Sequence, residues 1–403
     1  MVLTNRLVGG ILLVSGTSIG AGMLALPVIS SFAGFFPSFG LLAICWFLLF
    51  ITSLLLLDVN LACRGEVNMI SMAGRTLGAW GKGVCWVTYL LLLYSLIAAY
   101  IAGGAPLFLQ GLAHLTGWSA PSWVGPFPLL FLFGIFVYLG THAVDWINRL
   151  LMFGLIFSYI LLIIFLPSQV QLSLLQHIDI QAVAIAVPVV MTSFGFHIII
   201  PTLTTYLDHD VKKLRLTLFI GSLIPLVVYT IWEYLILGIV PLWGEEGLMK
   251  AWVSGESGAT ALSNVLQKPW ITTVASAFSF FAIITSFLGV SLSLSDFLTD
   301  GLKMKRFSLG REFACLLTFI PPLIFALSYQ RGFILALEYG GGFVAILLCI
   351  LPALMAWKLP HYRSLPRRLL LAGVILVSLF VIGLVILNEA GLLDNLTRHY
   401  VST

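Results

Sequence analysis

The sequence predicts an all-α integral membrane protein with eleven spans. Three observations carry that prediction. Of 403 residues, 20 are Lys or Arg and 16 are Asp or Glu, so 9% are charged, against roughly 25% in a soluble domain. Apolar residues make up 60% and mean hydropathy is +1.08. A chain of this size cannot cover a water-facing surface with so few charges, which excludes a soluble enzyme, and 13% aromatic residues exclude a disordered chain. The apolar residues also fall in runs of about 20, the length a helix needs to cross hydrocarbon, without the period-2 alternation of a strand barrel.

The runs lie near 7–30, 40–62, 83–107, 123–140, 147–166, 180–205, 216–240, 271–295, 313–328, 333–356 and 369–387. The first follows a lone Arg6. It exceeds the core of a signal peptide and no A-x-A site follows, so it is a span. The ninth is the shortest. With the N-terminus in the cytoplasm, the inner segments hold Arg6, Arg64, Arg75, Lys82, Arg149, Lys212, Lys213, Arg215, Lys303, Lys305, Arg306, Arg311, Lys358, Arg363, Arg367 and Arg368. Only Lys250, Lys268, Arg331 and Arg398 are left for the outside. That asymmetry obeys the positive-inside rule and places the C-terminus outside.

The outer segments are short except for 241–269, where Gly247 to Val253 reads as a short helix. Trp118, Trp123, Trp243, Trp252 and Trp270 fall at the outer interface, as an aromatic belt requires. Cys45, Cys63, Cys85, Cys315 and Cys349 lie in or beside apolar runs without CxxC spacing. They read as small buried hydrophobes, not disulfides or zinc ligands. A net charge of +4 does not imply a nucleic-acid partner, and no cofactor is expected. With no soluble domain in sight, function belongs inside the bundle, in contact with the lipid bilayer.

Two spans are interrupted. The first contains Gly16-Thr17-Ser18-Ile19-Gly20-Ala21-Gly22 and then Pro27; the sixth contains Thr192-Ser193-Phe194-Gly195-Phe196-His197 and then Pro201. Glycine weakens a helix and proline removes an amide donor. An interruption in hydrocarbon leaves backbone groups without partners, which is tolerated only where the break lines a cavity or meets a ligand. Amides at a half-helix N-terminus suit a carboxylate and carbonyls at the opposing C-terminus suit a cation; an amino acid carries both charges. Spans one and six are five apart, so the breaks have opposite orientation. That fits a 5+5 inverted repeat around a midplane site: residues 1–166 as spans one to five, 180–356 as spans six to ten, and 369–387 as an additional span. The competing reading is tight helix packing through Gly16 and Gly20, a GxxxG pair. Two other motifs match without their structural context. Gly20-Ala21-Gly22-Met23-Leu24-Ala25 fits a dinucleotide fingerprint but no βαβ unit surrounds it. Gly16-Thr17-Ser18-Ile19-Gly20 fits a nucleophile elbow without its strand. Ser18 with His197 makes an intramembrane serine protease the rival from the enzyme class.

The sequence resembles the hydroxy/aromatic amino acid permease family, most closely its tyrosine-specific permeases, in the wider amino acid/polyamine/organocation superfamily. The stretches that carry the resemblance are 20–27, Ala98-Ala99-Tyr100-Ile101, Asn148-Arg149 and 192–197. With them go Lys213-Leu214-Arg215, 285–290, Phe319-Ile320-Pro321-Pro322 and Arg331-Gly332-Phe333. The resemblance implies a leucine-transporter-type fold, import of an aromatic amino acid and coupling to a cation. Two positions depart from the pattern. Leu155 stands in span five where some proton-coupled relatives of the superfamily carry a lysine, and span seven carries Glu233 where an uncharged polar residue is expected.

The expected substrate site comprises Gly16, Ser18, Gly20, Ala21, Gly22, Tyr94, Ser193, Phe194, Gly195, Phe196 and His197. The amides of residues 20–22 would meet the substrate carboxylate, and the Ser18 and Ser193 hydroxyls would meet the substrate or freed backbone groups. Phe194 and Phe196 would bracket an aromatic ring or fill the core. His197 would bond a phenol, relay a proton or be a satisfied core residue. By fold analogy Tyr94 would reach the carboxylate and Tyr100 would help close the outer side; Glu338, near the outer end of span ten, is a second gate candidate. Acids inside a membrane are costly and therefore point to function. Glu233 is the deepest and is the candidate proton carrier, while Thr285 and Ser286 offer the hard oxygens that sodium prefers. Asp58 and Asp296, near inner ends, are expected to pair with cytoplasmic cations. The combined expectation is a symporter of the bacterial cytoplasmic membrane that imports tyrosine by alternating access, with a proton as the favoured coupling cation. Sodium coupling and a tryptophan- or serine-type substrate remain open.

Overall fold

The computed structural model describes residues 2–63, 65, 67–302, 310–329 and 331–392, with side chains from Arg6 onward. Arg64, Lys303, Lys305, Arg306 and Arg398, part of the charge argument, lie outside the described residues. The described residues form helices and connecting turns, with no strand among them.

The first run splits into α1 (Val2–Ser18) and α2 (Gly22–Ser30), bent by 53° across Ile19, Gly20 and Ala21. Next come α3 (Phe35–Ala62) and α4 (Met69–Thr116), which departs from helical geometry at Gly78. The left-handed φ of 77° there, which a glycine adopts at little cost, separates a short N-terminal helix from the span proper. Then α5 (Pro126–Leu139) and α6 (Thr141–Phe165) complete the first five spans. The sixth run is α7 (Val183–Ser193), a 3-10 turn at His197–Ile199, and α8 (Ile200–Tyr206). It is followed by α9 (Val211–Ile239). The long segment 241–269 folds into α10 (Leu248–Ser254) and α11 (Gly258–Leu266), one helix more than the sequence suggested. Last come α12 (Pro269–Gly301), α13 (Gly310–Ser328), α14 (Gly332–Val344), α15 (Leu351–Trp357) and α16 (Leu365–Glu389). A π-helical stretch at Ala345–Ile350 joins α14 to α15 within one span.

Among the described residues, ten helices are long and apolar enough to cross a membrane, and eleven when α1 and α2 count as one bent span. Small residues decide how closely these helices approach. A Cβ on Gly341 would lie 2.2 Å from the Pro188 carbonyl oxygen, so α14 packs backbone to backbone on α7. Thr192 Oγ1 donates across the same seam to the Leu337 carbonyl at 2.9 Å. The broken pieces α2 and α7 pack on each other and on α9 or α3 in the interior, while α5, α13 and α16 present large apolar side chains such as Phe131, Ile324 and Phe380 outward. That outward face is what a bilayer-embedded surface requires.

The five cysteines are free thiols, and Cys45, Cys85 and Cys349 are buried. Trp118, Trp123, Trp243 and Trp270 are exposed. Asp58 pairs with Arg215 at 3.3 Å and accepts from the Tyr362 hydroxyl at 2.7 Å, so this acid near a helix end has the cationic partner expected of it.

Candidate functional site

The two interruptions meet. A Cβ on Gly22 would lie 3.0 Å from Ser193 Oγ and 3.6 Å from Ser193 Cα, so the start of α2 touches the end of α7 with no room for a side chain. A Cβ on Gly20 would lie 2.3 Å from Ser286 Oγ. That hydroxyl stands close because it accepts a hydrogen bond from the Ala21 amide at 3.0 Å. The glycines of the first break therefore serve close approach from two sides, by α7 and by α12. Gly16 lies further back, with only Met152 Cε near the place of a Cβ, at 3.9 Å. A Cβ on Gly195 would lie 3.3 Å from Thr192 O and 3.4 Å from Leu348 Cδ1.

Of the three amides expected to meet a carboxylate, that of Ala21 is already held by Ser286. The Ser18 hydroxyl is buried without a hydrogen-bond partner, which leaves it available to a ligand. The Ser193 hydroxyl instead donates to Val189 O in its own helix at 2.9 Å, the usual behaviour of a serine in a helix. Thr285 does the same toward Phe281 O at 2.7 Å.

Three polar residues at this centre escaped the sequence reading. Tyr229 on α9 is fully buried, and its hydroxyl lies 2.6 Å from Ser18 O and 2.9 Å from Ser193 O. It thus touches the last carbonyl of each half-helix. Its ring meets Phe194 edge-on at 5.1 Å. Ser30, at the end of α2, contacts Glu233 Oε1 at 2.8 Å. Thr52 on α3 contacts His197 Nε2 at 2.8 Å. One signal was present: Tyr229 and Glu233 are four apart on one helix, so they share a face. The other two contacts join elements far apart in sequence and had none.

The remaining candidates separate. Phe194, Phe196 and His197 are fully or almost fully buried. Phe196 lies against the His197 ring at 5.0 Å, and His197 Nδ1 has no hydrogen-bond partner. His197 and Ser18 share no hydrogen bond, since His197 turns to Thr52 and Ser18 Oγ is unpartnered. The dyad that a serine protease needs is not formed. Tyr100 is buried with its hydroxyl toward Ser286, and so toward the first break. Tyr94 is turned away from the breaks: its hydroxyl donates to Leu317 O on α13 at 2.8 Å. Glu338 faces α16, where Asn388 Nδ2 donates to it at 2.9 Å. Glu233 has its second oxygen buried and unpartnered. Leu155 is buried and supplies no ammonium.

The model of the tryptophan/tyrosine permease family matches residues 3–390, which takes in both breaks and everything between them. The chain belongs to that family. The tyrosine-specific transport system 1 of Haemophilus influenzae is 36% identical over 392 residues, covering 95% of the permease described here and 96% of its relative. A tryptophan-specific transport protein of the same organism is 31% identical over 363 residues, 87% of each chain. These relatives are transport systems, not enzymes. Among solved structures, the Eremococcus coleocola manganese transporter superposes with a TM-score of 0.62 at 15% identity, covering 96% of the permease and 88% of that chain. This likeness is one of fold: a helical bundle of the leucine-transporter type.

Proposed function

We propose that the permease imports tyrosine across the bacterial cytoplasmic membrane by proton symport, with the amino acid held between the two breaks and reached alternately from each side. The observation that carries this reading is the meeting of Gly22 with Ser193. It joins the positive end of α2 and the negative ends of α1 and α7 at one buried point, where the carboxylate and ammonium of an amino acid find opposite partners. The same reading takes residues 1–166 and 180–356 as inverted repeats and 369–387 as an added helix, with the N-terminus inside and the C-terminus outside.

Proton coupling is supported by the hydrogen count around Glu233. Ser30 Oγ lies 2.7 Å from Leu26 O and 2.8 Å from Glu233 Oε1. One hydroxyl hydrogen cannot serve two acceptors. With a protonated carboxyl, Ser30 donates to Leu26 O and Glu233 donates to Ser30, and both contacts are satisfied. Thr285 donates to its own helix and Ser286 accepts from the Ala21 amide; both keep lone pairs for sodium, so the proton is favoured by Glu233 alone. A proton moving through ~100 mV supplies ~2.3 kcal/mol, enough for roughly fifty-fold accumulation at about 1.4 kcal/mol per decade.

The test is uptake of labelled tyrosine into proteoliposomes under imposed pH or sodium gradients, with tryptophan, phenylalanine and serine as competitors. Accumulation is expected on an inward proton gradient, with tyrosine the strongest competitor. Glu233→Gln is expected to keep exchange and lose accumulation. Uptake that requires sodium and fails in Thr285→Ala would transfer the coupling role to that cation. Tryptophan or serine winning the competition would change the substrate.

A further inference from the structure

The Tyr229 hydroxyl sits where the two half-helices end, and one hydroxyl carries one hydrogen. Ser18 is the last residue of α1 and Ser193 the last of α7. Their carbonyl oxygens lie 2.6 Å and 2.9 Å from the same phenol oxygen. The last carbonyls of a helix have no partner in their own helix, carry the negative end of its dipole, and are costly to leave bare in a water-free interior. A single O–H shared by two such carbonyls meets half of their demand. The ring is fixed independently, by full burial and by its edge contact with Phe194, so the hydroxyl is held at this point rather than straying there.

We propose that Tyr229 is the resident donor of the empty carrier: its hydroxyl ties the ends of α1 and α7 together when no amino acid is bound and allows them to move as a unit. This rests on the transport reading above. An arriving ammonium offers three N–H donors to the same pair of carbonyls and makes the phenol hydrogen dispensable. Tyr229 is thus a positioning residue for the return of the unloaded protein, the one step that net uptake needs and exchange of one tyrosine for another does not.

Tyr229→Phe keeps the ring and removes only the hydroxyl. In proteoliposomes this variant is expected to exchange tyrosine at a rate within about twofold of the wild type, while net uptake falls about tenfold, the factor that one hydrogen bond sets. Placing 4-aminophenylalanine at position 229, with an N–H for each carbonyl, is expected to restore net uptake. Exchange and net uptake falling together, or neither falling, would overturn the proposal, as would failure of the amino analogue to restore uptake. Amide hydrogen exchange of the ligand-free protein in detergent supplies a readout independent of transport. Segments 14–26 and 189–201 are expected to exchange faster together in Tyr229→Phe, and unchanged exchange in both would remove the tie. If the wild type neither exchanges nor accumulates tyrosine, the substrate reading fails while this comparison still decides the tie.

Discussion

At the scale of single residues, the site is built from positions where one atom too many is excluded. Gly20 and Ser286 are one such pair. Gly20→Ala drives a methyl to within 2.3 Å of Ser286 Oγ and must push that hydroxyl off the Ala21 amide. Gly20→Ala is therefore expected to lower the melting temperature in detergent, and adding Ser286→Ala is expected to recover part of the loss. Their effects should be non-additive because the groups are in contact. Thr52 is a second case. His197 is fully buried and its Nε2 meets the Thr52 hydroxyl at 2.8 Å. Thr52→Ala removes the hydroxyl partner of Nε2 and leaves that side of the ring to its contact with the Leu49 backbone, and is expected to destabilise by about 1–3 kcal/mol. Thr52→Ser, which keeps the hydroxyl, should cost much less; equal losses in the two variants would place the cost in the threonine methyl.

At the scale of elements, seams and caps decide which helices move together. Between α14 and α7, Gly341→Ala sets a methyl against the Pro188 backbone, which neither helix can yield without parting. A loss of about 1–3 kcal/mol is expected. On α16, a Cβ at Gly383 meets nothing within 4 Å. Gly383→Ala is expected to be neutral or to stabilise by about 0.5–1 kcal/mol through helix propensity, and thermal melts of the two variants compare them directly. The N-terminus of α9 is capped by Asp210, which accepts from the Lys212 and Lys213 amides at 3.1 Å and 3.2 Å. Hydrogen bonding from Lys213, side chain first and backbone second, holds this carboxyl below its ordinary value of 3.8. A depressed carboxyl contributes stability above its unfolded value and loses it as pH falls through the folded one. Asp210→Ala should therefore be less stable than the wild type at neutral pH, and the gap should close below about pH 3.8. A gap that persists in acid would mean that the cap does not act through its charge.

At the scale of the whole molecule, the distribution of cations makes the proposed orientation testable. Lys212, Lys213 and Arg215 lie in the first turns of α9, and Glu245, Glu246 and Glu256 lie beyond its other end. With the N-terminus inside, Glu245→Cys is expected to react with a membrane-impermeant maleimide in intact cells. Lys212→Cys should react only after permeabilisation. The reverse pattern would invert the topology and with it the sense of import. Beyond that end of α9 lies α10, where Trp252 packs edge-on against Phe32 at 5.3 Å and lies under Arg331 at 4.2 Å. One ring thereby connects the end of α2 to the start of α14.

The all-helical membrane class, the positions of the runs and the two interruptions were legible in the chain because each is a local property. Hydrophobic length, proline and glycine act within one segment, and their consequences follow from the bilayer alone. The family, too, was legible, since its motifs are contiguous stretches. The partners within the site were not. Nothing in the order of residues brings Ser286 to the Ala21 amide, Tyr229 to the ends of two half-helices, Thr52 to His197 or Ser30 to Glu233, because these pairs are joined only when separate helices pack. Tyr94 shows the same limit from the other side: its position near the middle of span three suggested the substrate, and packing against α13 gave its hydroxyl to Leu317 instead. A buried polar group takes whichever partner the fold brings within reach, since leaving it bare costs more than any preference carried by its own segment.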